Sequence, residues 1–201
     1  PGNKIRKYDT WHAMGQGATT GSLVVTLEAL KEMHLTPEDI QLIQNDTKTC
    51  PDTGMAGASR SLYMDGNATI IAANKLLAAM RKEDGTLRTY EEMKAEGIET
   101  KYLGRYETNT TPGLCRLDPN TGIGDPTPAF TYCLNLAEVE VDTKTGKTTV
   151  LKFTCVDFVG RIGNIDAVNG QAYSGIMHGI GFALKEDYAD VKKHANMFGA
   201  G

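Results

Sequence analysis

In GSLVVTLEALKEMH, Leu23, Leu27, Leu30 and Met33 fall three or four residues apart, the spacing of an amphipathic helix. The glycine-rich run MGQGATTG, 14–21, leads directly into it. Thr36-Pro37-Glu38-Asp39 reads as a short helical turn with threonine as cap and proline in first position. Residues 41–44 predict a strand, and 45–54 are turn-rich. A second glycine-rich loop, TGMAGASRS at 53–61, feeds a longer helix over 62–81. Thr69, Ala73, Leu76 and Met80 would share one face of that helix, while Gly66 and Asn67 weaken its first turns. Glu83-Asp84-Gly85 ends it, and 90–96 predicts another short helix.

Beyond Gly97 the pattern changes. Residues 101–108 alternate like a strand, and 110–128 form an irregular connection rich in Pro, Gly and Asn. Residues 130–141 and 149–159 are two β-rich runs joined by DTKTGK, a hairpin signal. A glycine-punctuated helix follows over 166–184, whose small residues suit close approach to another backbone or a ligand. Helices and strands mix without a βαβ rhythm, so the expected fold class is α+β, with mixed helices and β-hairpins. The expected division is a helical part, 1–97, bearing both glycine-rich loops, and a hairpin-plus-helix part, 98–201.

Composition narrows the function classes. At 201 residues the chain can form one large domain or two small ones. The net charge of −4, with basic residues grouped only at Lys4, Arg6 and Lys7 and at Lys192 and Lys193, argues against nucleic acid as a partner. No apolar run has bilayer-crossing length and none resembles a secretory signal, so the expectation is a cytoplasmic protein without a membrane partner. Cys50, Cys115, Cys133 and Cys155 contain no CxxC pair and are expected as reduced, buried thiols. The chain opens on Pro1 and stops at Gly201 directly after Met197-Phe198 and two small residues, which reads as a piece of a longer protein.

The first loop has the chemistry of an anion cradle. Glycines let backbone N–H groups converge, the following helix turns its positive end there, and Gln16 could add its amide. A tight turn before a helix explains it equally well, and Gly15, Gly17 and Gly21 match neither the dinucleotide fingerprint nor a P-loop. The second loop repeats the design with Ser59, Arg60 and Ser61, and a capped helix with a surface arginine is its alternative. Two such loops in one chain point to a large phosphate-bearing ligand. His178 alone fits a packed core histidine better than a catalytic base, and His12 fits a structural role. The residue clusters that hold zinc or non-haem iron are absent from the sequence, as is a G-x-S-x-G elbow.

Three stretches in fixed order, HAMGQGATTGSLVVTLEAL (12–30), NDTKTCPDTGMAGASRSLYMDGNA (45–68) and NGQAYSGIMHGIGFALKEDY (169–188), resemble the xanthine dehydrogenase and aldehyde oxidoreductase family. The likeness is to the C-terminal part of its molybdenum-cofactor-binding large subunit, nearest to bacterial aldehyde oxidoreductases that use molybdopterin cytosine dinucleotide. It implies that Ala13, Met14, Gly15, Gln16, Gly17, Ala18 and Thr19, with Gly57, Ala58, Ser59, Arg60 and Ser61, contact the cofactor. It further implies hydroxylation of an aldehyde or N-heterocycle with water-derived oxygen. Electrons would leave through 2Fe–2S clusters, and in some members FAD, on other domains. The family's catalytic glutamate lies in a Gly-x-Gly-Glu motif beyond Gly201, so the piece alone is expected to be inactive. His178 stands where many relatives place a glutamine near the metal and is the candidate near-metal residue. The implied partners are the remaining domains or subunits and a small-molecule substrate, with self-association a further expectation. The competing reading is a non-catalytic cofactor-binding or scaffold module.

Overall fold

The structure is a computed structural model that describes residues 5–54, 56–57, 60–107, 117–125 and 130–186. In chain order its elements are β1 (Ile5–Asp9), α1 (Ala18–Ala29), 3-10 turns at Lys31–Met33 and Pro37–Asp39, β2 (Ile40–Gln44), α2 (Ser61–Met80), α3 (Tyr90–Ala95), β3 (Tyr132–Val141), β4 (Thr148–Phe158) and α4 (Ile165–Leu184). The mixture is α+β as expected. The chain separates into two compact units, 1–128 and 129–201.

In the first unit β1 and β2 pair in parallel, from Ile5 opposite Ile40 to Asp9 opposite Gln44, with α1 as the crossover. This is one βαβ unit, where the pattern had suggested none. The physical reason is that β1 is short and carries Arg6 and Lys7, so its local composition hides a strand completed only by a partner 35 residues away. Helix α1 buries a face shifted from the one its leucines suggested, although Leu30 lies in the core and Met33 packs against it as expected. Ala18, Ser22, Thr26 and the capping Leu30 are buried, while Leu23 and Leu27 are half-buried. Ser22 and Thr26 tolerate burial because their hydroxyls are hydrogen-bonded, Thr26 donating to the Ser22 carbonyl at 2.7 Å.

Helix α2 runs beside α1 in the same direction. A Cβ on Gly66 would lie 4.0 Å from Val25, Leu30 packs with Ala73 and Leu77, and Arg81 pairs with Glu32. Helix α3 starts with a reciprocal cap: Glu92 N–H donates to Thr89 Oγ1 at 3.2 Å, and Thr89 N–H donates to Glu92 at 2.7 Å. Residues 101–107, read from the sequence as a strand and grouped with the hairpin, form no strand and lie against α2. Lys75 donates to the Leu103 carbonyl at 2.9 Å, and the Tyr63 and Tyr106 hydroxyls meet at 2.7 Å.

In the second unit β3 and β4 form the expected antiparallel hairpin, with a register shift at Glu138/Val139. Asp142 closes its turn by accepting from the Lys144 N–H, and Gly146 takes positive φ. The glycine-punctuated helix is α4, capped by Asn164, whose side chain accepts from the Ala167 N–H at 3.1 Å. Every residue of β3 is exposed and no residue of α4 is buried. The three described thiols are free, as expected, but not buried: Cys133 is exposed and Cys50 and Cys155 are half-buried, while Cys115 lies outside the described residues.

Candidate functional site

Both glycine-rich loops leave the carboxyl ends of the parallel pair β1 and β2, where ligands of open α/β sheets gather. The Asn45 N–H donates to the Asp9 carbonyl at 3.3 Å, so the two exits stay in register. Because α1 and α2 run in the same direction, their amino ends, and the positive ends of their dipoles, lie on that same side. Neither first turn contains an acidic residue, and neither cap residue makes a side-chain cap hydrogen bond.

Asp9 fixes the exit of the first loop. One carboxylate oxygen accepts from Ser22 Oγ at 2.5 Å and pairs with Lys7 Nζ at 2.8 Å. The other accepts from Gln44 Nε2 at 2.7 Å and the Trp11 N–H at 3.3 Å. Lys7 also donates to Ser22 Oγ at 2.7 Å and sits 5.7 Å from the centre of the Trp11 ring. Burial pushes the Asp9 carboxyl up, but the Lys7 charge and the hydrogen bonds from Lys7, Ser22 and Gln44 outweigh it and hold it below the usual range. Strand, helix and loop are thereby tied at one buried point that composition does not reveal.

The first loop is held from inside. Gly15 and Gly17 take φ of 100° and 82°, conformations that glycine adopts without strain. Gln16 accepts from the Met14 N–H at 2.5 Å and donates to the His12 carbonyl at 2.6 Å. Its amide therefore shapes the loop, where the sequence suggested an outward donor. Ala13 and Met14 are exposed, Ala18 is buried, and Thr19 is exposed at the start of α1. In the second loop Gly57 is half-buried, Arg60 is exposed and Ser61 opens α2, while Ala58 and Ser59 lie outside the described residues. His12 is exposed.

Between the end of β1 and the second loop lies a cleft of about 90 Å³, lined by Thr10, Thr53, Arg60, Ser61, Met64 and Asp65 among others. Thr10, directly after β1, ties that strand's exit to the second loop across it, donating to the Pro51 carbonyl at 3.0 Å and meeting the Thr53 hydroxyl at 2.5 Å. Asp65 was absent from the sequence expectation. Burial pushes its carboxyl above the usual range and the Asp9 charge adds to this, against smaller opposing effects of Lys7 and His12. Helical spacing alone could have flagged it, since Asp65 follows Ser61 by one turn. His178 belongs to α4 in the other unit and is exposed, so it is not the packed core histidine that the residue alone suggested. Among the described residues no three His, Cys, Asp or Glu side chains form a metal-holding group, and no helix is long and apolar enough to cross a membrane.

The model of the molybdopterin cofactor-binding domain matches residues 3–198. The chain belongs to that family. It is 41% identical over 197 residues to an aldehyde oxidoreductase of Megalodesulfovibrio gigas, covering 98% of this chain and 21% of that protein. The xanthine dehydrogenase/oxidase of Mus musculus is 27% identical over 180 residues, 87% of this chain and 13% of that protein. The crystal structure of the aldehyde oxidoreductase from Desulfovibrio desulfuricans ATCC 27774 superposes with a TM-score of 0.88 at 44% identity, covering 98% of this chain and 21% of that one. The chain thus spans about a fifth of the length of the aldehyde oxidoreductases it matches.

Proposed function

We propose that this molybdopterin-binding chain forms one wall of the cofactor site in a larger oxidoreductase that hydroxylates an aldehyde or N-heterocycle with water-derived oxygen. The observation that carries the reading is the emergence of both glycine-rich loops, and of two acid-free helix starts, from one edge of the βαβ unit. Such an edge suits the anionic pyrophosphate of a molybdopterin cytosine dinucleotide. Backbone N–H groups over 13–19 and 57–61 would hold it, with Arg60 supplying positive charge at the rim. Gln16 acts indirectly by fixing the loop's shape. When bound, the molybdenum centre supplies the redox chemistry; this chain's residues bind and orient the group. The chain contains no Gly-x-Gly-Glu motif, so the catalytic base comes from elsewhere in the parent protein. The parent is cytoplasmic in this reading, with 2Fe–2S clusters, and in some forms FAD, on other domains.

The test is cofactor content of the full-length protein. Gly57→Asp places a carboxylate where an added Cβ meets nothing within 4 Å, so it changes charge without crowding. We expect bound molybdenum and pterin to fall at least about tenfold, since the new charge faces a phosphate group. Gly15→Asp should act in the same direction with added backbone strain at φ 100°. Unchanged metal and pterin in a folded Gly57→Asp protein would refute the cradle. The His178→Gln exchange tests a near-metal role separately: altered turnover at equal cofactor content supports it, and unchanged turnover removes it.

A further inference from the structure

We infer that the cleft between the end of β1 and the second loop is a sugar pocket, in which Asp65 accepts hydrogen bonds from the vicinal hydroxyls of a nucleotide ribose with Ser61 beside it. This rests on the reading that the loops bind a dinucleotide cofactor, and it assigns that ligand's hydroxyl-bearing part to particular side chains.

Asp9, Asp46 and Asp52 all accept hydrogen bonds within the loops or from the neighbouring elements. The Asp65 carboxylate and the Ser61 hydroxyl line the cleft, and neither side chain hydrogen-bonds to a described residue, although the Asp65 carbonyl accepts from Thr69 Oγ1 at 2.7 Å. They sit one turn apart on α2, so both face the same space. A half-buried carboxylate with no donor is an acceptor awaiting one. The rise in its proton affinity, driven by burial and the Asp9 charge, is the expected mark of such a group.

The charge decides which part of the ligand enters. A carboxylate repels phosphate, so a cleft holding Asp65 selects a neutral group rich in donors. The two oxygens of a carboxylate match the two hydroxyls of a vicinal diol. Thr10 and Thr53 line the cleft with hydroxyls that retain acceptor lone pairs, and Arg60 adds a cation suited to the adjoining phosphate. The volume of about 90 Å³ has room for several water molecules, the scale of a sugar edge and not of a whole dinucleotide. A metal ion fits poorly, since Asp65 is the only carboxylate among the described lining residues.

The experiment uses the full-length protein carrying this chain, produced in cells unable to make molybdopterin. Calorimetric titration compares cytidine monophosphate, its 2′,3′-dideoxy analogue and inorganic pyrophosphate. We expect cytidine monophosphate to bind about tenfold or more tightly than the dideoxy compound, because two hydrogen bonds to a charged acceptor are lost. In Asp65→Asn and Asp65→Ala that preference should shrink to about twofold or less, while pyrophosphate affinity is unchanged or rises. Equal binding of the two nucleotides by the unaltered protein, with pyrophosphate still bound, overturns the sugar pocket and leaves the cradle standing. Failure of pyrophosphate and both nucleotides to bind overturns the cradle and the pocket together. A preference that survives in both Asp65 variants shows that another residue reads the sugar, and the assignment to Asp65 falls.

Discussion

Asp9 and Asp65 belong to one charge system and are driven in opposite directions. Asp9 is buried but saturated with donors, so its folded-state proton affinity is depressed. Its stabilisation is full above the unfolded aspartate value of about 4 and is lost as pH falls through the lower folded value. Asp9→Ala strands the Lys7 ammonium, whose side chain is only 10% exposed, and should cost about 3–5 kcal/mol in chemical denaturation at neutral pH. A loss below about 1 kcal/mol would mean that the pair is not an anchor. Asp65 has the opposite sign. Its raised folded value means that its charge destabilises the ligand-free protein at neutral pH, and protonation relieves this as pH falls. Asp65→Asn should therefore raise the thermal midpoint of the cofactor-free protein at neutral pH. The two melting curves should converge as pH drops to about 4. A midpoint that falls on substitution would contradict the sign. Stability yielded at a site of function is the usual direction of that exchange.

At the scale of elements, local periodicity was enough where one element completes its own signal. Helix α2 and the β3–β4 hairpin lie within about two residues of the stretches their patterns predicted, because helical spacing and a short Gly-containing turn are local properties. Strand β1 was not legible, since its evidence is its partner β2 and the burial of Lys7 beside Asp9. The loops were legible as glycine-rich starts, but Gln16 pointing inward and Asp65 lining the cleft depend on tertiary neighbours. Residues 101–107 failed for a different reason: Gly104 is selected by contact, not by strand alternation. A Cβ there would clash with the Ala68 carbonyl oxygen and approach the Ala72 nitrogen to 2.8 Å. Because the obstacles are backbone atoms of α2, no rotamer change relieves them. Gly104→Ala should cost at least about 1–3 kcal/mol and weaken the Tyr63–Tyr106 contact, whose ring centres are 5.5 Å apart. Denaturant midpoints for Gly104→Ala and for the open-space control Gly57→Ala test this: equal midpoints would show that the segment is not packed on α2 as described.

For the whole molecule, the second unit poses the problem of cover. The register places Tyr132, Leu134 and Leu136 on one face of the hairpin with Val156 and Phe158, and all five are more than half exposed. A run of apolar side chains like this on one sheet face is unusual for a free surface and marks an interface. Since the chain spans about a fifth of the aldehyde oxidoreductases it matches, the face is expected to lie under the rest of the parent protein. The isolated 201-residue chain should then self-associate in sedimentation velocity and bind an apolar dye, and it should turn over no aldehyde above a metal-free control. Leu134 and Val156 are direct cross-strand partners, so Leu134→Glu with Val156→Lys replaces an apolar pair by an ion pair without breaking the hairpin's register. The double variant should shift the isolated chain toward monomer. In the full-length protein it should have the reverse consequence, lowering soluble yield, because burying two charges under a neighbouring domain is unfavourable even when they are paired. A monomeric, dye-silent wild-type chain, or a full-length double variant of normal yield, would show that the face is solvent-exposed in the parent and that its apolar character needs another cause.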